Sequence, residues 1–148
     1  MNSKTKGDIS EAKALFEFQK RGIPVLVPWG DNLRYDMVIE LNNHFYRIQV
    51  KTANEIKNGV VKCYTRSSTN HTTNKHLTTY ENDVDYFVFY NQILDKVALV
   101  PIKEVGNQKT ISLRLEPPKN NQNNLRYFDD YSFDKILCVE TLHGEPKS

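Results

Sequence analysis

The chain has 148 residues, of which 39% are hydrophobic and 26% are charged, so we expect one globular domain over residues 1–148 rather than a disordered segment. It contains no run of about 18 apolar residues that could cross a membrane, and no apolar segment near its start that would indicate a signal peptide, so we expect a cytoplasmic protein. The net charge of +2 is too small to indicate nucleic acid by itself, and any such inference depends on where the charged residues lie.

The first predicted element is a helix over residues 4–22, which Gly22 ends. Glu11 stands at helical spacing from Leu15 and Phe18, so it flanks the apolar stripe and can point toward the edge of a sheet packed on the helix. On spacing alone, a solvent-exposed glutamate is the simpler interpretation. We expect the buried stripe to consist of Ile9, Ala12, Leu15, Phe16 and Phe18.

A short strand predicted over residues 25–27 ends at Pro28, and a loop then leads to Asp36. This loop contains Trp29, the only tryptophan of the chain. We interpret Trp29 as a cap on the hydrophobic core, and stacking on a nucleic-acid base is the alternative.

Residues 35–51 predict a β-hairpin, because both arms alternate apolar and polar residues. Between the arms, Asn42-Asn43 suits a two-residue type I′ turn, since asparagine tolerates positive φ. One face of the hairpin would pack on the core and fix the register of the strands. That apolar face consists of Met37, Ile39, Leu41, Tyr46, Ile48 and Val50.

The opposite face of this hairpin brings three polar side chains together. A two-residue loop pairs Leu41 with His44 and, counting outward, Asp36 with Gln49. Directly opposed side chains share a face, with Cβ atoms roughly 5 Å apart. Lys51 lies two residues beyond Gln49 and shares that face as well. A carboxylate, a carboxamide and an ammonium group therefore converge at the open end of the hairpin.

Residues 56–80 contain no acidic residue, and their basic side chains are interleaved with hydroxyl and amide groups. The turn Asn58-Gly59 opens a strand predicted over residues 60–66. Such a segment can neutralise phosphates and offer polar groups to base edges. A solvent-exposed loop is the competing interpretation.

The remaining elements complete a mixed α/β pattern. Strands are predicted over residues 84–90, 97–100 and 110–115, and a short amphipathic helix over residues 130–139. The polar residues 119–124 are interpreted as a loop, although their amide groups could also contact bases.

The pattern D-x12-Q-x-K on a hairpin, with a glutamate on an upstream helix, resembles the PD-(D/E)XK nuclease superfamily. Within that superfamily, the segments KGDISEAKALF, VLVPWGDNLRYD and RIQVKTA are similar to the bacterial homing endonucleases encoded in group I introns. The resemblance is specific over residues 4–53. Tyr35 stands where proline is usual, and Gln49 stands where most members carry Glu or Asp, which removes one charged metal ligand.

The resemblance implies a restriction-endonuclease-like core, in which helices flank a mixed β-sheet with a catalytic hairpin. It also implies a sequence-specific, metal-dependent endonuclease that hydrolyses phosphodiester bonds in both strands of DNA. A restriction enzyme or a junction resolvase of the same superfamily is an alternative. A catalytically inactive DNA-binding module on the same fold is another, because of Gln49.

The resemblance further implies the roles of the site residues. Asp36 would be the primary ligand of Mg²⁺, or of Mn²⁺ as a substitute, with the main-chain carbonyl of Val50 and the carboxylate of Glu11 as the other protein ligands. Gln49 would offer its amide oxygen. Lys51 would orient the attacking water or stabilise the developing charge. A structural ion pair between Asp36 and Lys51 is the simpler alternative.

Next to a nuclease core, the basic segment of residues 56–80 favours contact with double-stranded DNA. A single active site cuts one strand, so a double-strand cut needs at least two subunits. The resemblance implies a homo-oligomer, with a tetramer favoured over a dimer. The residues expected to contact DNA are Lys57, Lys62, Tyr64, Arg66, Lys75 and His76.

Overall fold

The structure, a computed structural model, describes residues 1–66 and 82–144. Within these ranges, no helix is both long and apolar enough to cross a membrane. The elements in chain order are α1 (Ser3–Gln19), β1 (Val25–Leu26), β2 (Met37–Leu41), β3 (His44–Thr52), β4 (Ile56–Lys57), β5 (Val60–Tyr64), β6 (Tyr86–Asn91), β7 (Lys96–Pro101), α2 (Ile102–Val105), β8 (Thr110–Arg114), a 3₁₀ turn (Phe128–Tyr131) and α3 (Phe133–Gly144).

The strands form two sheets. The larger has five strands in the order β1-β2-β3-β6-β7, and the smaller has three in the order β4-β5-β8. In the larger sheet β3 and β6 run parallel, while its other neighbours are antiparallel. The predicted mixed α/β fold with a hairpin flanked by helices is therefore confirmed.

The core has two layers, one on each face of the larger sheet. On one face, Phe18 of α1 and Phe133 of α3 pack against hairpin residues such as Ile39 and Ile48. On the other face, the smaller sheet packs against Phe87 and Phe89 of β6. Strand β6 is buried along its whole length, as expected for a strand covered on both faces. The smaller sheet contributes Val61, Cys63, Ile111 and Leu113 to this layer.

The predicted hairpin and its register are confirmed. The pairs run from Leu41 with His44 to Met37 with Ile48. Asn42 and Asn43 have φ angles of 53° and 65°, and a type I′ turn requires positive φ at both central positions.

The predicted helix α1 is confirmed, but of its predicted buried stripe only Phe18 is buried. Ile9 and Leu15 are each 38% exposed and Phe16 is 55% exposed. Besides Phe18, the buried face of the helix consists of small side chains, which allow a close approach to the sheet, and of Glu17, which is paired with basic residues. A purely hydrophobic pattern does not record such partners. The buried residues are Ser10, Ala14, Glu17 and Phe18.

The interpretation of Trp29 as a core cap is also wrong, because its side chain is 102% exposed. Strand β1 has only two residues and lies at the edge of the sheet. The chain therefore leaves the sheet before it reaches Trp29, and the indole has no core to cover.

A candidate active site at the open end of the hairpin

Asp36 lies immediately before β2, where the hairpin opens. Its backbone N–H donates to the carbonyl of Ile48 at 2.8 Å. Its carboxylate Oδ2 accepts a hydrogen bond of 2.8 Å from the N–H of Val50. The Asp36 side chain thus continues the ladder of hydrogen bonds after β2 has ended, and this fixes the carboxylate beside β3.

Val50 supplies a second oxygen at this position. In an extended strand, the N–H and the carbonyl of one residue point to the same side, which is why paired antiparallel residues exchange both bonds. The N–H of Val50 points at Asp36, so its carbonyl oxygen faces the same edge. The Val50 side chain is buried against the helical layer, which holds the strand in place.

Helix α1 brings Glu11 to the same point. Its anchor is Ser10, which is 1% exposed and shares a hydrogen bond of 2.5 Å with Thr52 at the end of β3. Gln92 donates a further hydrogen bond of 3.2 Å to the Ser10 hydroxyl. With α1 held against β3 in this way, the carboxyl groups of Glu11 and Asp36 lie close enough to perturb each other, and both residues line the same two clefts.

The two carboxyl groups perturb each other. Burial, the neighbouring charge of Asp36 and their shared hydrogen bond raise the pKa of Glu11 to about 7. Burial also raises the pKa of Asp36, although the Val50 N–H, the Glu11 hydrogen bond and the charge of Lys51 act in the opposite direction. Two carboxyl groups in contact hold a proton between them unless a cation neutralises their charge.

The side chains of Gln49 and Lys51 lie on the face of β3 opposite to that of the Val50 side chain. At these two positions β3 pairs with Phe87 and Phe89 of β6. Both side chains are partly exposed. The ammonium group of Lys51 is close enough to influence Asp36 electrostatically. The side chain of Gln49 forms no hydrogen bond with any residue that the structure describes. The geometry therefore joins Glu11, Asp36 and Val50 directly and places Lys51 within electrostatic range.

A cleft opens on each side of the Glu11–Asp36 pair. One cleft, of about 210 Å³, extends along α1, and the other, of about 180 Å³, extends along the loop before Asp36. The first is lined by Asp8, Ala12, Leu15, Val27 and Met37 besides the pair itself. The second is lined by Val27, Pro28, Gly30, Asp31, Leu33 and Tyr35 besides the pair.

The residues expected to contact DNA lie on the smaller sheet and just after it. Lys57, Lys62 and Tyr64 share the outer face of β4 and β5, because Val61 and Cys63 occupy the inner one. Lys62 donates to the Ser112 hydroxyl at 3.1 Å, and Tyr64 donates to the Glu55 carboxylate. Arg66 donates to the carbonyl of Asn107 at 3.3 Å. Lys75 and His76 lie outside the described residues.

Arg114 also lies on this outer face, although it was not among the residues expected to contact DNA. Arg114 pairs with Val60, and Ser112 pairs with Lys62. The signal was present, since Arg114 alternates with the buried Ile111 and Leu113 of a strand predicted from its pattern. What the pattern lacked was the pairing of β8 with β5.

The sheet order, the hairpin with Asp36 at its open end and the glutamate from α1 together define a restriction-endonuclease-like domain. Residues 1–134 match the sequence profile of the family described as PD-(D/E)XK endonuclease. The chain belongs to this family, so the resemblance of its sequence to the PD-(D/E)XK nucleases is confirmed, and a nuclease acting on DNA follows from it.

The chain is similar to a solved structure entitled "The structure of a bacterial homing endonuclease: I-Ssp6803I". The match covers 100% of each chain, with a TM-score of 0.76 and 24% sequence identity. At that identity, the likeness shows a common fold. No curated protein sequence matches the chain.

Proposed function

We propose that this chain is a sequence-specific, metal-dependent endonuclease that cuts both strands of DNA, of the homing type encoded in bacterial group I introns. One observation carries the proposal: the carboxyl groups of Glu11 and Asp36 meet at the open end of the hairpin, beside the backbone of Val50 and within range of Lys51. The family supplies the reaction class. The whole-chain likeness to a bacterial homing endonuclease supports the type of nuclease.

The oxygen donors at this site fit Mg²⁺, with Mn²⁺ as a substitute. Among the described residues, no three His, Cys, Asp or Glu side chains are grouped as a metal site. Mg²⁺ commonly uses only one or two protein carboxylates and keeps several waters. Asp36, Glu11 and the carbonyl of Val50 would hold the ion. When bound, it would supply Lewis-acid stabilisation of the charge on the phosphate and lower the pKa of a bound water.

The chain's own residues then have separate roles in hydrolysis. Asp36 is held in one orientation by the Val50 N–H, so its free lone pairs remain aimed at the cleft. Lys51 provides the positive charge that orients the attacking water or stabilises the developing negative charge on phosphate oxygens. Gln49 offers a neutral amide oxygen from the neighbouring position of β3.

The most direct test uses a plasmid library with randomised inserts, incubated with Mg²⁺ or with EDTA. We expect the chain to cut a subset of plasmids in Mg²⁺ only, and Asp36→Ala to abolish cutting while DNA affinity stays within about tenfold, since the phosphate contacts that dominate affinity lie elsewhere. Sequencing of the cut ends gives the site and the strand offset. Cutting that persists in EDTA or in Asp36→Ala would contradict the proposal.

Gln49 is the observation that favours a second candidate, a catalytically inactive DNA-binding module. It removes a charged ligand, and its side chain forms no hydrogen bond within the described part of the chain. If Gln49 acts in the site, Gln49→Glu keeps activity with a changed dependence on metal, whereas Gln49→Ala lowers activity. If the unchanged chain binds duplex DNA without cutting and Gln49→Glu restores cutting, the inactive module is correct.

A double-strand cut also requires more than one copy of the site. We propose a homo-oligomer, with a tetramer favoured over a dimer. Sedimentation analysis of the 17.2-kDa chain, alone and with duplex DNA, distinguishes these states. A monomer in both conditions that nicks only one strand would contradict the oligomer and the double-strand activity together.

A further inference from the structure

We propose that Trp29 contacts the DNA substrate directly, by stacking on a base or by wedging into a groove at the rim of the active-site cleft. This inference rests on the proposed function, since it requires duplex DNA at the Glu11–Asp36 pair. It concerns a residue outside the metal site and outside the basic segment.

Trp29 lies beside the cleft of the candidate active site. Its two neighbours in the chain, Pro28 and Gly30, both line the cleft that contains Glu11 and Asp36. Trp29 therefore lies on the rim of the cleft itself. A cleft of about 180 Å³ is too small to admit a duplex, whose major groove alone is about 12 Å wide. When a phosphate reaches Asp36, the rest of the duplex must lie against this rim.

The indole of Trp29 is completely exposed to solvent. Trp29 is 102% exposed and forms no hydrogen bond with any described residue. Tryptophan is highly buried on average, so an indole that packs on nothing has no structural role in the isolated chain. Directly after Trp29, Gly30 has a φ of +88°, a left-handed conformation that favours glycine.

Duplex DNA, rather than a second copy of the chain, fits the surface around Trp29. A second copy of the chain covering Trp29 would also cover the cleft whose wall includes Pro28 and Gly30, and it would exclude the substrate from Asp36. DNA can cover both at once. An indole offers a flat apolar face, which stacks on any base, and apolar side chains of this kind also wedge between base steps in the minor groove.

The sole tryptophan of the chain makes the test specific, because all indole emission comes from Trp29. The probe is a fluorescein-labelled, mixed-sequence 30-bp duplex, titrated in EDTA and low salt so that nothing is cut. Anisotropy of the fluorescein reports DNA binding, and tryptophan emission reports the environment of Trp29. We expect the emission to be quenched and shifted to shorter wavelength over the concentration range in which anisotropy rises.

Substitution provides the second readout. Trp29→Ala is expected to weaken binding by roughly five- to 150-fold, the range of one stacked base, while Trp29→Phe retains most of the affinity. Because an uncharged indole releases no counterions, the salt dependence of binding should keep its slope in Trp29→Ala. Folding is not at risk, since the side chain contacts no core. Phe45→Ala is the matched control: Phe45 is 61% exposed but lies beside the turn, at the other end of the hairpin.

Three outcomes would overturn the inference. Anisotropy that rises without any change in tryptophan emission, together with normal binding by Trp29→Ala, would leave the nuclease intact and remove Trp29 from its interface. Emission that changes with protein concentration in the absence of DNA would assign Trp29 to an interface between copies. Absence of any rise in anisotropy would overturn the proposed function and this inference together.

Discussion

At the scale of single residues, the proposed chemistry depends on the pair of carboxyl groups of Glu11 and Asp36. Asp36 is fixed by the backbone of β3, whereas Glu11 arrives from a separate element, α1. Two acidic groups held in contact by different elements are costly unless something positive binds between them. Such an arrangement is typical of a site that functions with a cation.

We predict that Glu11→Gln lowers the rate of DNA cleavage by roughly 10²-fold, the typical effect of one charge-stabilising group, because it removes one negative charge from the metal site. The folded state should be retained. Cleavage rates at saturating enzyme, measured over a range of Mg²⁺ concentrations, provide the test.

Asp8→Asn is the control for that prediction. Asp8 lines the same cleft one helical turn earlier, and it pairs with the exposed Lys4 at 3.4 Å rather than with Asp36. Its neutralisation should change the rate by less than about threefold. Equal losses in the two variants would indicate that only the summed charge of the cleft matters and would remove Glu11 from its specific role.

At the scale of elements, α1 shows how a charged residue can form part of a buried face. Glu17 is 5% exposed, yet it lies among Lys13, Lys20 and Arg21. Arg21 donates to its carboxylate at 2.9 Å. Burial alone would raise the pKa of Glu17, but the Arg21 hydrogen bond and the three neighbouring positive charges outweigh it and lower the pKa below its usual 4.5.

The depressed pKa of Glu17 predicts a stability that depends on pH. A carboxylate whose pKa is lower in the folded state stabilises that state above its unfolded pKa and loses this effect as the pH falls through its folded pKa. Glu17→Gln should therefore lower the free energy of unfolding by about 1–2 kcal/mol at pH 7. The difference from the unchanged chain should shrink progressively below pH 4.5.

Urea denaturation at a series of pH values measures this difference. Asp130→Asn serves as the matched surface control, because its pair with Lys135 at 3.8 Å leaves both side chains more than half exposed. An exposed pair is worth about 0–1 kcal/mol, so this variant should show little effect at any pH. A loss of stability in Glu17→Gln that does not change with pH would contradict the stabilising role of the Glu17 charge.

The hairpin could be predicted from the sequence, and the buried face of α1 could not. The alternation of β2 and β3 and the Asn42-Asn43 turn are local signals that determine one register. The burial of Ser10 and Glu17 depends on partners far along the chain or on ion pairs, which hydrophobic periodicity does not contain. Of the candidate site, the sequence predicts Asp36 and Glu11, which the structure places side by side, whereas the hydrogen bond from the Val50 N–H to Asp36 has no sequence signal.

At the scale of the whole molecule, the two sheets carry different parts of the proposed DNA interface. The larger sheet carries the acidic site, and the outer face of the smaller sheet carries a separate set of polar and basic residues. Lys62 and Arg66 form hydrogen bonds there but are in no ion pair with any described residue. Their charges thus remain available to bind phosphates, and contacts with phosphates dominate the affinity of proteins for DNA.

We predict that neutralising Lys62 and Arg66 together, with glutamine at both positions, weakens duplex binding and lowers the slope of log K against log salt by about one to two units. Binding measured by anisotropy from low to moderate salt tests this. Replacement of Lys96 and Lys135 by glutamine is the control, because both are already ion-paired with aspartates. An unchanged slope in the Lys62 and Arg66 variant would exclude that face from the DNA interface.

The hydrogen bond from Val50 to Asp36 has a practical consequence for trapping an uncut complex. Alanine at position 36 removes the charge and also leaves the N–H of Val50 without its acceptor, so it disturbs the end of the sheet as well as the site. Asparagine keeps an oxygen for that N–H and removes only the charge. Asp36→Asn is therefore the variant that should give a stable, inactive protein, suitable for holding intact DNA in place.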